Sequence, residues 1–254
     1  MNNDRIQEIL DLMEEARLDY FLISDPQSIA YCTGYYNDPH ERMFVFMISK
    51  HGNHTLFMND LFYLEHDLDV NIVWHKDGQD AIQTIVDEMH FPGRIGIDKN
   101  WASHFLLDLM KKLPDAKYIN ASPCVDLVRM KKDLQEQVLM IESSKINDAV
   151  MEEIIPFIQE GVTEKQLAKK LDELFFNHHS TCYGAIVAFG KNAADPHHEN
   201  DDTPLRKGDC VLIDMGCVYK GYCSDMTRTF YFKEVSDEHR HIYETVRKAN
   251  EAAI

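Results

Sequence analysis

Two aspartates, Asp214 and Asp225, lie in a stretch that is otherwise apolar and rich in strand-forming residues, DMGCVYKGYCSDMTRTF. The pattern predicts two antiparallel strands, 211–215 and 222–232, joined by a short turn. On the buried face of such a hairpin, paired carboxylates could bind a divalent cation, since hard cations prefer carboxylate oxygen. A shared proton or a nearby Arg or Lys would also stabilise them.

The turn decides how the two carboxylates meet. A two-residue turn at Tyr219-Lys220 places Asp214 directly opposite Asp225, with β-carbons ~4.5–5.5 Å apart. A shift of that turn by one residue makes them diagonal neighbours, and both arrangements keep the carboxylates on one face of the sheet. Like charges so placed destabilise a sheet, and burying them unpaired costs more.

Two interpretations without metal chemistry stay open at this point. One aspartate could point to solvent or cap a turn. Alternatively, Arg228 could neutralise one carboxylate in a simple ion pair.

Two polar loops carry further groups capable of chemistry. The segment PHHEN, residues 196–200, precedes the aspartate hairpin, and neutral imidazole can move protons or ligate a metal near neutral pH. The segment GYYNDPHER, residues 34–42, concentrates charges, aromatic rings and proline between two predicted strands. An ordinary solvated loop is the alternative for each.

The elements that position these groups change in character along the chain. Helix and strand patterns alternate at first, from the amphipathic IQEILDLMEEARL and the buried YFLIS to WASHFLLDLMKKL and KYIN, as in an α/β domain. A nearly all-helical stretch follows, and Thr163 with Gln166 forms a capping box that opens another helix. The strand GAIVAFG, the histidine loop and the hairpin come next. We therefore predict two domains, 1–125 and 126–254.

Composition excludes several classes of protein. The formal net charge is −17, with 43 acidic and 26 basic residues, which argues against a nucleic-acid partner. The N-terminus has no secretion signal, and the longest apolar run, MFVFMI, is far shorter than the ~20 residues of a membrane span. Six cysteines without a C-x-x-C pair predict free, mostly buried thiols of a cytoplasmic protein.

Four segments, in order, resemble one known family. They are RLDYFLISDPQSIAYCTGY, VRMKKDLQEQVLMIESSKINDAV, AIVAFGKNAADPHHEN and GDCVLIDMGCVYKGYCSDMTRTF. Together they resemble the Xaa-Pro peptidases, prolidase and aminopeptidase P, of the creatinase/methionine aminopeptidase "pita-bread" superfamily. The DPHER segment is similar to the bacterial prolidase branch.

The resemblance implies a fold and a metal site. The fold is an α/β domain similar to ribonuclease H, followed by an α+β pita-bread catalytic domain that is incomplete in this chain. By the same resemblance, Asp214 and Asp225 are metal ligands, and Asp225 bridges two divalent ions, Mn²⁺ or alternatively Co²⁺ or Zn²⁺. His197 matches the family's histidine that assists substrate binding and proton transfer.

The resemblance also implies a substrate and an assembly. The substrate is a small peptide with an Xaa-Pro bond, and the enzyme is a homodimer. N-terminal loops of one subunit approach the other active site in such dimers. That gives Asp38, His40 and Arg42 a role in recognising the termini of a dipeptide.

The chain departs from the family pattern in one respect. The family site uses two Asp, one His and two Glu, and nothing after Arg228 resembles the motifs of the last three ligands. We therefore expect the chain to be part of a longer protein or a truncated form. Alone, it should bind divalent metal weakly or not at all and lack peptidase activity.

Two other functions are compatible with the same fold. One is a peptidase-fold binding module without catalysis, which has no need of Asp214, Asp225 and His197. The other is a metal-free relative such as creatinase, which hydrolyses a small guanidino compound. Such relatives lose the aspartate ligands, whereas both are present here.

Overall fold

The computed structural model describes residues 1–90 and 92–254. These residues form two compact units, Met1–Lys131 and Lys132–Ile254. The predicted division after residue 125 falls inside a helix, Ser122–Met130, whose buried residues belong to the core of the first unit. The unit therefore extends to the end of that helix.

A six-stranded mixed sheet forms the first unit. Its strands are β1 (Tyr20–Ile23), β2 (Val45–Ser49), β3 (Thr55–Asn59), β4 (Asn71–His75), β5 (Arg94–Ile97) and β6 (Lys117–Asn120). The order across the sheet is β4-β3-β2-β1-β5-β6. The pairs β1–β2 and β2–β3 are antiparallel, whereas the pairs β3–β4, β1–β5 and β5–β6 are parallel.

Helices cover both faces of this sheet. They are α1 (Asn3–Glu15), α2 (Pro26–Thr33), α3 (Ala81–Asp87), α4 (Ser103–Lys112) and α5 (Ser122–Met130). Alternate residues of β1 enter different cores: Phe21 and Ile23 pack with α1, α2 and α5, and Tyr20 and Leu22 pack with α3 and α4. Because both faces are buried, the strand has no polar alternation, and the predicted α/β domain is confirmed.

The second unit has two helices packed on one face of a four-stranded sheet. Its elements are α6 (Leu134–Ile154), α7 (Glu164–Asn177), β7 (Thr181–Cys182), β8 (Ile186–Phe189), β9 (Cys210–Tyr219), β10 (Tyr222–Tyr231) and α8 (Asp237–Ala253), with 3₁₀ turns at Ile155–Phe157 and Gly190–Ala194. The long strand β9 pairs antiparallel with β7, β8 and β10. The predicted capping box at Thr163 and Gln166 is present at the start of α7.

The core of this unit lies between the sheet and the helices α6 and α7. Alternate residues of β9, namely Val211, Ile213, Met215 and Cys217, point into it and are buried. The residues between them face the opposite side. Helix α8 contributes no buried side chain there and contacts that face through rings packed on Tyr231, at the end of β10. This face carries both aspartates.

Two sequence predictions concern the whole chain. All six cysteines are free, and three of them, Cys32, Cys124 and Cys217, are buried. Within residues 1–90 and 92–254, no helix combines the length and apolar character needed to cross a membrane.

Candidate functional site

Asp214 and Asp225 lie on the same face of the β9–β10 hairpin as diagonal neighbours. In the register, Asp214 pairs with Thr227, and Asp225 pairs with Gly216. Of the two arrangements that the sequence leaves open, the diagonal one is present and the directly opposed one is not. Diagonal positions of an antiparallel pair are ~7–8 Å apart, a span that carboxylates converging on a common ligand can bridge.

The turn fixes this register. Its two central residues are Lys220 and Gly221, with φ of 48° and 85°. Type I′ hairpin turns require positive φ at both positions, and glycine adopts such angles without steric cost. The turn therefore sits one residue later than Tyr219-Lys220, which moves the two aspartates from opposed to diagonal positions.

The expectation that the two carboxylates are buried is wrong for this chain. Asp225 is exposed and Asp214 is partly exposed, because α6 and α7 cover only the other face of the hairpin. Neither forms an ion pair with any residue that the structure describes. Arg228 donates to the carbonyl oxygen of Thr227 at 2.9 Å instead, so the proposed Asp–Arg pair is absent.

Each carboxylate has a hydroxyl partner. Thr227 Oγ1 donates to Asp214 Oδ1 at 2.7 Å. The Tyr183 hydroxyl lies 3.2 Å from Asp225 Oδ2 and 2.8 Å from the carbonyl oxygen of Ser224, so its single proton is shared between two acceptors. These contacts orient the carboxylates without neutralising them.

Tyr183 occupies space that Gly216 leaves free. A β-carbon at position 216 would lie 2.1 Å from the Tyr183 hydroxyl oxygen and 2.4 Å from the Ser224 carbonyl oxygen. Although Tyr183 is 49% exposed as a whole, its hydroxyl is thus enclosed by the strands. Desolvation of the hydroxyl, with the Asp225 carboxylate beside it, raises the pKa of Tyr183 to about 12.

A cavity of about 720 Å³ brings this group together with the histidine loop. Its lining includes Asp214, Asp225, Tyr183 and His198, together with Lys165 from α7. Its volume lies in the range of small-ligand sites, ~300–1,000 Å³. The cavity is open enough to admit a peptide or hydrated ions.

The two adjacent histidines have different surroundings. His197 is exposed, and its backbone N–H donates to Asp195 Oδ1 at 3.0 Å. His198 lines the cavity, is 12% exposed, and places Nε2 2.6 Å from Glu164 Oε2. His197, the residue that the resemblance singles out, therefore has no side-chain partner among the described residues, whereas the ring of His198 is held by the buried Glu164 carboxylate.

Glu164 was not anticipated from the sequence. Its side chain is fully buried, and it accepts hydrogen bonds from the backbone N–H groups of Phe189 and Asp201 and from the side chains of Asn192 and His198, at 2.6–3.0 Å. At the first position of α7, an acidic residue is expected as an exposed partner of the helix dipole. The burial comes from a loop 25–37 residues later, which no local pattern reveals.

Glu164, His198 and Asp201 also bring possible metal-ligand atoms within 4.8 Å of one another. The four N–H donors on Glu164 occupy the lone pairs that a cation would need. Hydrogen bonds from Thr203 lower the pKa of Asp201. We therefore assign this cluster as a hydrogen-bonded anchor of the loop, and the Asp214–Asp225 pair as the candidate metal site.

Asp38, His40 and Arg42 lie together in the first unit. Asp38 Oδ1 accepts from the backbone N–H of His40 at 3.0 Å, and both side chains are largely exposed. Arg42 makes a bidentate contact with Asp77 at 3.0 and 2.8 Å, which lowers the pKa of Asp77. Arg42 thus has a structural partner, whereas Asp38 and His40 face solvent.

Each of the two units matches a known protein family. Residues 5–131 match the creatinase/prolidase N-terminal domain, and residues 138–254 match the metallopeptidase family M24. A Staphylococcus aureus (strain MSSA476) protein named as an uncharacterized peptidase is 29% identical over 259 residues, which cover 98% of this chain and 72% of that protein.

Solved structures agree. A dipeptidase from Pyrococcus horikoshii OT3 is 32% identical with a TM-score of 0.87, covering 98% of this chain and 71% of its own. An Xaa-Pro dipeptidase from Bacillus anthracis is 27% identical with a TM-score of 0.85, covering 97% and 69%. The chain thus spans about 70% of the length of these relatives.

Proposed function

Because the chain belongs to the metallopeptidase family M24 and carries a creatinase/prolidase N-terminal domain ahead of that region, we propose that it forms part of a dinuclear-metal Xaa-Pro dipeptidase. Membership of this family indicates a peptidase, and the pita-bread fold of the chain agrees with the solved structures of its relatives. The metal site, the residues assigned to it and the preference for Xaa-Pro bonds are the proposal.

One observation carries it. Asp214 and Asp225 share one face of a hairpin and one cavity, and no cationic side chain of the described residues pairs with either. Two carboxylates that share one cavity repel each other, and a divalent cation between them would offset that repulsion. Two oriented carboxylates that lack a cationic side-chain partner are suited to bind a divalent cation.

The donor set fits hard or borderline ions. Carboxylate oxygens suit Mn²⁺ and also ligate Co²⁺ or Zn²⁺. Divalent ions bound there would lower the pKa of a water molecule and polarise the scissile carbonyl group. Thr227 and Tyr183 hold the two carboxylates in place, and the exposed imidazole of His197 is available to contact substrate and carry a proton.

Two carboxylates offer only four oxygen atoms, too few to complete two coordination shells. We therefore expect this chain by itself to bind Mn²⁺ weakly and to hydrolyse peptides slowly or not at all. Tight binding of two ions per chain in a calorimetric titration would contradict this part of the proposal.

Substrate recognition is assigned to the first unit. Asp38 and His40 present exposed polar groups that suit the charged termini of a dipeptide, within a homodimer. Arg42 is a weaker candidate, because binding a substrate carboxylate requires it to leave Asp77. A His40→Ala variant of the complete enzyme that leaves the apparent KM for a dipeptide unchanged would remove this assignment.

A non-catalytic binding module and a creatinase-like hydrolase are the alternatives. The retained, oriented aspartates count against both. The decisive assay uses the complete enzyme of which we propose this chain forms part. It measures release of proline from Ala-Pro, with Ala-Ala and a guanidino compound as comparison substrates, in Mn²⁺ and in a chelator. Metal-dependent release of proline that Asp225→Asn abolishes supports the proposal. Hydrolysis that persists in the chelator, or only of the guanidino compound, overturns it.

The same variant separates metal binding from turnover. Mn²⁺ can be followed by its paramagnetic broadening of nearby proton resonances, which needs no activity. Asp225→Asn and Asp214→Asn should remove the broadening around the hairpin. Asp172→Asn is the matched control, because Asp172 lines the same cavity from helix α7 and should leave the broadening intact.

A further inference from the structure

A single buried carboxylate fastens the loop that carries both histidines. Glu164 accepts from Phe189, at the end of β8, and from Asn192, in the following 3₁₀ turn. It also accepts from His198 and Asp201 further along the loop. The two ends of the segment 189–201 are thereby tied to the first residue of α7, and His197 lies inside the tied segment.

The bond to His198 assigns the roles of the two histidines. A carboxylate only accepts hydrogen bonds, so the proton on the His198 ring must reside on Nε2. The ring is held in one tautomer at 2.6 Å from Glu164 and is mostly enclosed. His197 has no side-chain partner in the described part of the chain, so its imidazole is free to contact a substrate.

We propose that Glu164 is a positioning residue that acts through His198 to hold the segment 189–201 with the His197 imidazole free for the reaction. The reaction itself rests on the function proposed above. The requirement is for a carboxylate, because four N–H donors converge on it and an amide in its place would present an N–H to at least one of them.

A second clasp limits how far the segment can move. Asn200 accepts from the Val187 N–H and donates to the Ala185 carbonyl oxygen, both at 2.7 Å. Loss of the Glu164 carboxylate should therefore loosen the loop locally and leave the sheet intact. A purely structural core residue would instead destabilise the whole unit when changed.

The test is hydrogen exchange on the full 254-residue chain. Glu164→Gln should raise amide exchange across 189–201 by at least about tenfold, with exchange in β9 and β10 changed less than about twofold. Glu173→Gln is the matched control, since Glu173 lies on the same helix and, among the described residues, pairs only with Lys170 at the surface. Unchanged exchange in the segment, or an equal rise everywhere, overturns the proposal.

Variants at His198 provide a second arm that does not remove the buried acid. Glutamine places an amide nitrogen near the position of Nε2, so His198→Gln should keep wild-type exchange. His198→Leu has no donor and should raise exchange around residues 197–199, by less than Glu164→Gln, because three N–H groups still donate to Glu164. Equal exchange in the two His198 variants overturns the inference that the bond to Glu164 matters.

Activity separates this inference from the proposed function. In the complete enzyme, Glu164→Gln should lower kcat by about tenfold or more and change KM less, because loop order rather than substrate contact is lost, and His198→Leu should lower kcat by a smaller factor. If kcat is unaffected although exchange rises, the positioning role is wrong. Absence of turnover in the parent chain is what two carboxylate ligands alone predict, and the exchange results then decide whether Glu164 holds the loop. Hydrolysis that persists in a chelator would overturn the function proposal and leave the exchange results standing.

Discussion

Gly216 and Asp225 face each other across the β9–β10 hairpin, and the Tyr183 hydroxyl fills the space above the glycine. The missing side chain at 216 is what allows a tyrosine from outside the hairpin to reach the carboxylate. The position of the Asp225 carboxylate thus depends on Gly216, although Gly216 makes no polar contact with that carboxylate.

Gly216→Ala tests this dependence. The added methyl group would lie 2.1 Å from the Tyr183 oxygen and 2.4 Å from a backbone carbonyl oxygen, so strand or ring must shift. We expect the free energy of unfolding to fall by about 1–3 kcal/mol, as for other overpacked sites. Denaturant unfolding measures the loss.

A double-variant cycle identifies the clash. Tyr183→Ala removes the ring, so the cost of Gly216→Ala should be smaller in that background, by about 0.5 kcal/mol or more. Equal costs in both backgrounds would show that Tyr183 does not occupy the space.

The raised pKa of Tyr183 predicts a pH dependence of stability. The folded pKa is about 12, above the ordinary 10.0, so between these values the unfolded chain has lost this proton while the folded chain retains it. The free energy of unfolding therefore falls as the pH rises from 10 to 12. Tyr183→Phe should lack this component when both proteins are unfolded in a chelator across that range.

Asp225→Asn provides the companion measurement. Desolvation of the hydroxyl remains in this variant, but the neighbouring negative charge is gone, so the pKa of Tyr183 should fall part of the way back. A spectrophotometric titration that shows no difference between the two proteins would place the cause elsewhere.

The hairpin turn predicts a stabilising substitution. Lys220 has φ of 48°, a conformation that lysine adopts at a cost and asparagine tolerates. Lys220→Asn creates the Asn-Gly pair that type I′ turns favour and should raise the free energy of unfolding by about 0.5–1 kcal/mol. Gly221→Ala, in the same turn at φ of 85°, should act in the opposite direction. Equal signs for the two variants would argue against the turn type.

Much of this site follows from strand periodicity. Because side chains alternate, an even-length turn places both aspartates on one face, and Arg228, three residues from Asp225, must lie on the other. Strand alternation therefore argues against the Asp–Arg pair, and the contact of Arg228 with the Thr227 carbonyl oxygen agrees. The choice between the two turns depends on Gly221, which tolerates the positive φ needed at the second position.

Other features depend on contacts that are remote in sequence. Glu164 belongs to the segment TEKQ, whose capping box explains Thr163 and Gln166 and leaves the glutamate looking like a surface acid. Tyr183 follows a strand of only two residues, and nothing nearby indicates that its hydroxyl meets Asp225. The burial of Glu164 and the contact of Tyr183 with Asp225 arise only when β8, β9 and the histidine loop assemble.

Asp19 predicts how the first unit responds to acid. Burial of its carboxyl group acts to raise its pKa, but Lys50 and the backbone N–H groups of Arg94 and Gly93 outweigh burial and lower it from 3.8. A lowered pKa contributes stability that is present above pH 3.8 and is lost as the pH falls through the folded value. Asp19→Asn should therefore cost about 2 kcal/mol at pH 7, since hydrogen bonds to a charged group are lost, and less at pH 3. Asp108→Asn is the control: it removes the exposed pair with Lys111 and should change the free energy of unfolding by less than about 0.5 kcal/mol at either pH. If the cost of Asp19→Asn were the same at pH 3 as at pH 7, the charge of Asp19 would not be what stabilises the contact between β1 and β5.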